Sequence, residues 1–77
     1  MTDETVQKVL AIVADEADVS TDSVTLETTF VDLDVDSLDF LCIVNRVRNE
    51  IGPVPNSVLG SIEKVVDLAA AVGVNVS

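Results

Sequence analysis

Three stretches of this chain carry apolar residues at helical spacing, and Gly, Pro and Ser/Thr/Asp-rich breakers separate them. Val6, Val9, Leu10, Val13 and Ala17 share one face of a helix over residues 3–17. Phe40, Ile43, Val44, Val47 and Ile51 do so over 37–51, and Ile62, Val65, Val66, Ala69 and Val72 over 61–72. A helix with a single apolar stripe must bury it. Three such helices, with a one-turn helix at 56–59, satisfy each other only as a small bundle. The expected fold is therefore all-α, a four-helix bundle with one short member. Seventy-seven residues leave no room for a second core, so 1–77 reads as a single domain. Two Phe and no Trp or Tyr make that core small and aliphatic.

Local signals set the expected boundaries. Thr2 can cap the first helix, with Asp3 and Glu4 complementing its dipole. Asp18 to Ser23 is a run of turn-formers around Val19, and the connection over 18–36 is long for so small a domain, which often marks function. Val24 and Leu26 alternate like a strand but have no visible partner strand. The connection is thus read as irregular, with room for one short helical turn, pinned by Phe30 and Leu33. Gly52 and Pro53 end the second helix, Gly60 ends the short one, Ser61 caps the last, and Gly73 stops it before a frayed 74–77.

The chemistry concentrates at Asp32-Leu33-Asp34-Val35-Asp36-Ser37-Leu38-Asp39. Asp36 has the position of an N-cap and Asp39 that of a capping-box acid, which puts Ser37 at a helix N-terminus. Free backbone N–H groups and the positive dipole end favour a phosphate there. The same position is a poor one for a self-activated nucleophile, because the chain contains no His and the neighbours are acids. The serine reads as a residue that another enzyme modifies. Leu38 and Cys42 lie opposite the Phe40/Val44/Val47 stripe, beside Asp39, Arg46 and Asn49, and form a small apolar patch rimmed by charge.

Charge is unevenly distributed. Residues 1–39 hold eleven acids and one base, a net of −10, whereas residues 40–77 hold three of each. No basic patch can be assembled for nucleic acid. The acids around Ser37 solubilise the chain and draw in a basic partner surface. One cysteine precludes an internal disulfide and suits a reducing compartment. There is no apolar run of about 18 residues for a membrane span, and the start resembles no targeting peptide. The expected setting is cytoplasmic. Asp32, Asp34 and Asp36 match the first ligands of a calcium loop. Ser37 and Ile43 stand where that loop needs Gly and Glu, so no metal site is expected.

With these residues in place, the chain resembles the acyl carrier protein and carrier-domain family, whose motif is usually Leu-Gly-x-Asp-Ser-Leu. Phe30, the run from Asp32 to Leu38, the following apolar helix and Ser61-Ile62…Val66-Asp67-Leu68 extend the similarity over nearly the whole chain. The resemblance implies a right-handed four-helix bundle and a non-catalytic carrier. Ser37 would bear 4′-phosphopantetheine, added from coenzyme A by a phosphopantetheinyl transferase with Mg²⁺. Acyl or polyketide intermediates would ride on it as thioesters to ketosynthase, acyltransferase or thioesterase partners, the isolated domain being a monomer. Asp36, Leu38, Asp39, Cys42 and Arg46 would form the docking face. Asp34 replaces the motif glycine, and Asp tolerates a left-handed backbone better than most residues. Val47-Arg48-Asn49-Glu50-Ile51-Gly52 looks closer to carrier domains of polyketide synthases of the fungal iterative type. A peptidyl carrier of the same fold and a plain acidic helical interaction module are the competing readings.

Overall fold

The computed structural model describes residues 3–72. Three α-helices, α1 (Asp3–Ala17), α2 (Ser37–Glu50) and α3 (Val65–Ala71), are joined through 3-10 segments at Thr21–Ser23 and Asn56–Ser61. All regular elements among the described residues are helical, as the three stripes require. The proposed cap Thr2, the stop at Gly73 and the frayed 74–77 lie outside the described residues.

The stripes meet in one core. Val9 and Val13 of α1, Ile43, Val44 and Val47 of α2, and Val65 and Leu68 of α3 are fully closed to solvent. Each such side chain contributes about 1.5–3 kcal/mol by leaving water. The buried band on α1 is wider than the stripe read from sequence, since Ile12 and Ala14 are also inside. Phe30 and Val24 from the first connection complete the core, and Leu33 packs against it.

α1 ends in a Schellman motif. Asp18 N–H donates to the Asp15 carbonyl at 3.3 Å and Val19 N–H to that of Ala14 at 3.0 Å. Asp18 sits at φ 60°, a role glycine usually fills. Gly52, expected to end α2 in that manner, does not adopt a left-handed φ. The last turn of α2 is closed instead by Ile51 and Gly52 N–H, which both donate to the Val47 carbonyl.

Two expectations are corrected. The short helix does not stop at Leu59 but runs as a 3-10 segment through Gly60 to Ser61. The last helix does not begin at Ser61, and Ser61 does not cap it. It begins at Val65, and Asp67 supplies the cap: its Oδ2 accepts from the Glu63 and Lys64 N–H groups, both at 3.0 Å. The cause is a pairing that local periodicity cannot reveal. Residues 62–64 are extended, with an antiparallel bridge between Thr29 and Lys64. Phe30 N–H donates to the Glu63 carbonyl, Val65 N–H to that of Thr28 and Val66 N–H to that of Leu26, at 2.9–3.0 Å. The first connection is irregular with one 3-10 turn at Thr21–Ser23, as its residues indicate, and of the Val24/Leu26 pair only the Leu26 carbonyl is engaged by the start of α3. With the later start, Leu68 becomes a fully buried residue of α3, while Ile62 leaves the helix for a half-buried position beside the first connection.

Candidate functional site

The N-terminus of α2 is assembled by two consecutive local motifs. In the first, Thr29 Oγ1 accepts from Asp32 N–H at 3.0 Å and opens a single helical turn. Asp34 N–H closes it on the Val31 carbonyl at 3.0 Å, and Val35 N–H on that of Phe30 at 3.1 Å. This is the Schellman pattern again, with Asp34 at φ 59°. The aspartate in the glycine position of the motif therefore takes the left-handed conformation expected of it. In the second motif, Asp36 is extended (φ −86°, ψ −177°) and its Oδ1 accepts from Asp39 N–H at 2.9 Å. Asp36 is the N-cap, and Ser37 is the first residue of α2, exposed to solvent.

Ser37 opens on a groove. A depression of about 200 Å³ is lined by Phe30, Val35, Asp36, Ser37, Phe40 and Ile62. Beyond Phe30 and Ile62 a second, of about 320 Å³, is lined by those two with Thr29, Val31, Glu63 and Lys64. Phe30 and Phe40 meet edge to face, with ring centroids 5.2 Å apart at 72°. The aromatic residues, few as they are, stand together directly behind the serine.

The charged groups divide sharply. Arg46 binds Asp15 at 2.6 Å, Glu16 at 3.0 Å and Glu50 at 3.1 Å. Its pKa is raised further above the ordinary arginine value, chiefly by the Asp15 hydrogen bond, then those of Glu16 and Glu50. Lys64 reaches Glu27 at 3.3 Å, Lys8 reaches Glu4 at 3.2 Å, and Arg48 donates to the Val54 carbonyl and to Asn56. None of these cations pairs with Asp32, Asp34, Asp36 or Asp39. The negative field around Ser37 is uncompensated among the described residues, because the second-half cations are spent on α1, on the Val54–Asn56 segment and on the first connection. The acids do not converge either: among the described residues, no group of three or more His, Cys, Asp or Glu is placed to hold a metal.

The outer face of α2 departs from expectation in two respects. Leu38 is 73% exposed and Cys42 is exposed, as their spacing indicates. Leu41 is also 48% exposed on that face, a residue missed in the sequence although it stands three positions after Leu38. Arg46, expected to present its charge beside Leu38 and Cys42, instead directs its guanidinium to the end of α1. It borders the patch but is held within the fold.

An all-helical bundle that displays one exposed serine at a capped helix start, among acids without a cation partner, has the architecture of a carrier. The phosphopantetheine attachment family model matches residues 7–72, and the chain belongs to that family. It is 36% identical over 67 residues to norsolorinic acid synthase of Emericella nidulans, a match that covers 87% of this chain and 3% of the synthase. It is 46% identical over 44 residues to an acyl carrier protein of Lactococcus lactis, covering 57% of this chain and 60% of that protein. An acyl carrier protein of Streptococcus pyogenes is 44% identical over 43 residues. The chain thus spans a small fraction of the synthase and under two thirds of the bacterial carriers. The family's cofactor is covalent 4′-phosphopantetheine, and the site fits it: the hydroxyl is exposed at a helix N-terminus, whose N–H groups favour an anion, and the adjoining depression joins Phe30, Val35, Phe40 and Ile62 with polar Asp36. Members of the family are in general carriers rather than catalysts. No described helix is long and apolar enough to cross a membrane.

Proposed function

We propose that Ser37 Oγ is the attachment point and that the chain carries acyl intermediates of polyketide or fatty acid biosynthesis as thioesters on the phosphopantetheine arm. The observation that carries this reading is the exposed Ser37 hydroxyl at the capped start of α2, inside the stretch the family model matches. In the loading step the hydroxyl forms a bond to the pantetheine phosphorus of coenzyme A, and the pyrophosphate P–O bond breaks. Adenosine 3′,5′-bisphosphate leaves, and the serine proton passes to the transferase. In this step the chain acts as acceptor and carrier.

The polyketide assignment is favoured by the breadth of the synthase match, which takes in 87% of the chain. Asp36, Leu38, Asp39 and Cys42, with Leu41 added, form the docking face for a transferase and for ketosynthase, acyltransferase or thioesterase partners. The unpaired acids attract a basic rim and the leucines fill its apolar centre. Arg46 acts there by fixing the end of α1 against α2. The free Cys42 fits a reducing, cytoplasmic setting, and residues 1–77 act as one carrier domain.

Intact mass after incubation with coenzyme A, Mg²⁺ and a promiscuous phosphopantetheinyl transferase tests the proposal. One phosphopantetheine is added to the parent and none to Ser37→Ala. Circular dichroism of that variant stays helical, because an exposed first-turn alanine is compatible with α2. No addition to the folded parent by several transferases would favour an acidic interaction module instead.

A further inference from the structure

Resting on Ser37 as the attachment point, we propose that Thr29 is a positioning residue for arm addition: its hydroxyl sets the turn that delivers Ser37 to the transferase. That hydroxyl stands at a junction. On one side, residues 26–30 are held to the start of α3 by backbone pairing. Thr29 is bridged to Lys64, Phe30 N–H donates to the Glu63 carbonyl at 3.0 Å, and Val65 N–H donates to that of Thr28 at 2.9 Å. On the other side, Thr29 Oγ1 accepts from Asp32 N–H at 3.0 Å and opens the turn that ends at the left-handed Asp34. Asp36 follows as the cap of α2, and Ser37 is the next residue. Residues 29–36 thus form a strut from the start of α3 to the serine, and one side-chain bond fixes the corner at which it bends.

A single helical turn leaves its first N–H groups without an acceptor of its own, and a hydroxyl just before the turn supplies one. Asp32 N–H is such a group. Val31 and Asp32 are exposed, so without the hydroxyl water takes its place and the turn is free to open. The backbone holds this corner less firmly: Leu33 N–H reaches the Thr29 carbonyl at 3.3 Å, the longest bond of the turn. The effect of loosening falls on the chemical step rather than on docking. Leu38, Leu41 and Cys42 stand on α2 itself and keep their places on the outer face. The serine hydroxyl, by contrast, must meet the phosphorus of coenzyme A in a fixed geometry, and a misplacement of about 1 Å costs up to about 10²-fold in rate. Because α2 holds Ser37 from the other side, the expected loss is smaller, about tenfold.

The test is the steady-state kinetics of arm addition, with the chain as varied substrate and coenzyme A, Mg²⁺ and a promiscuous transferase held fixed. Thr29→Val removes the hydroxyl and keeps the branched shape, whereas Thr29→Ser keeps the hydroxyl. Ser20→Ala is the control: it removes a similar bond, from Asp22 N–H to Ser20 Oγ at 3.2 Å, in a turn that does not lead to the serine. In Thr29→Val, kcat is expected to fall about tenfold while KM stays within about twofold of the parent. Thr29→Ser should restore kcat, and Ser20→Ala should keep it. Thr29→Ala carries the same expectation as Thr29→Val and replaces it if the valine variant does not fold. A parent-like kcat in folded Thr29→Val, a rise in KM alone, no recovery in Thr29→Ser, or an equal loss in Ser20→Ala would each overturn the proposal and leave arm addition at Ser37 standing. A parent that gains no arm mass overturns the attachment reading, and this one with it.

Discussion

The two ends of α2 are built from similar residues to opposite effect. At the C-terminal end every cation is engaged: Arg46 gathers Asp15, Glu16 and Glu50, and Arg48 holds the Val54 carbonyl and Asn56. At the N-terminal end four aspartates surround a serine with no cation among them, and two leucines face water. One end spends its charge on holding the fold together, the other keeps its charge available to partners. In a chain of net charge −10 with four basic residues, that division requires each base to be placed away from the site. Function is located where the intramolecular accounts are left open.

The comparison can be broken most strongly in the middle of α2. Ile43→Ala removes a fully buried side chain and should cost about 2–5 kcal/mol in urea unfolding. Arm addition to its folded fraction should be unchanged, and a loss of acceptor activity in folded protein would show that the two ends are not separable. Asp36→Ala removes the cap that accepts from Asp39 N–H and should cost about 1 kcal/mol. Here arm addition should slow as well, since the serine is the next residue. Equal slowing by Ala at Asp18, at the far end of α1, would remove the distinction.

A smaller effect belongs to Asp67, whose pKa lies below its ordinary value of 3.8 because the Lys64 and Glu63 N–H groups bind its charged form. A depressed carboxylate adds stability above its unfolded pKa and loses it as the pH falls through the folded one. The parent should therefore weaken below about pH 4, and Asp67→Asn should show a shallower acid limb in thermal unfolding between pH 5 and pH 2. The smallest change is expected of Asp34→Gly. Relief at φ 59° is offset by the greater freedom of glycine in the unfolded chain, leaving a few tenths of a kcal/mol, or about 1–2 °C in the melting temperature.

Much of this architecture is legible in the residues. The bounds of α1, the start of α2, the Asp36 cap and the left-handed Asp34 follow from spacing and from capping chemistry, which act within four residues. Ser61 and Ile62 misled because both obey the local rules, a cap followed by an apolar stripe. Tertiary pairing with Leu26–Phe30 overrode those rules, and no periodicity encodes a partner so distant. The contacts of Arg46 are hidden for the same reason: Glu50 lies one turn away, but Asp15 and Glu16 stand 31 and 30 positions away. The Phe30–Phe40 contact could not be read either, since Phe30 lies in a connection without a repeating pattern.

The backbone ladder between the first connection and the start of α3 bears also on the order in which the chain assembles. At seven residues, α3 is far shorter than the roughly 12–15 that an isolated helix needs. It forms only once Val65 and Val66 find carbonyls on a segment some 37 positions earlier, the separation of the Glu27–Lys64 pair beside them. That step joins segments about 37 positions apart, and the packing of α3 on α1 spans more, so loop entropy is lost before packing of Leu68 rewards it. The expected order is that α1 and α2 gather first and α3 completes the fold. Hydrogen exchange checks this order: the Val65 and Val66 amides are expected to exchange faster than those of Val44 and Val47.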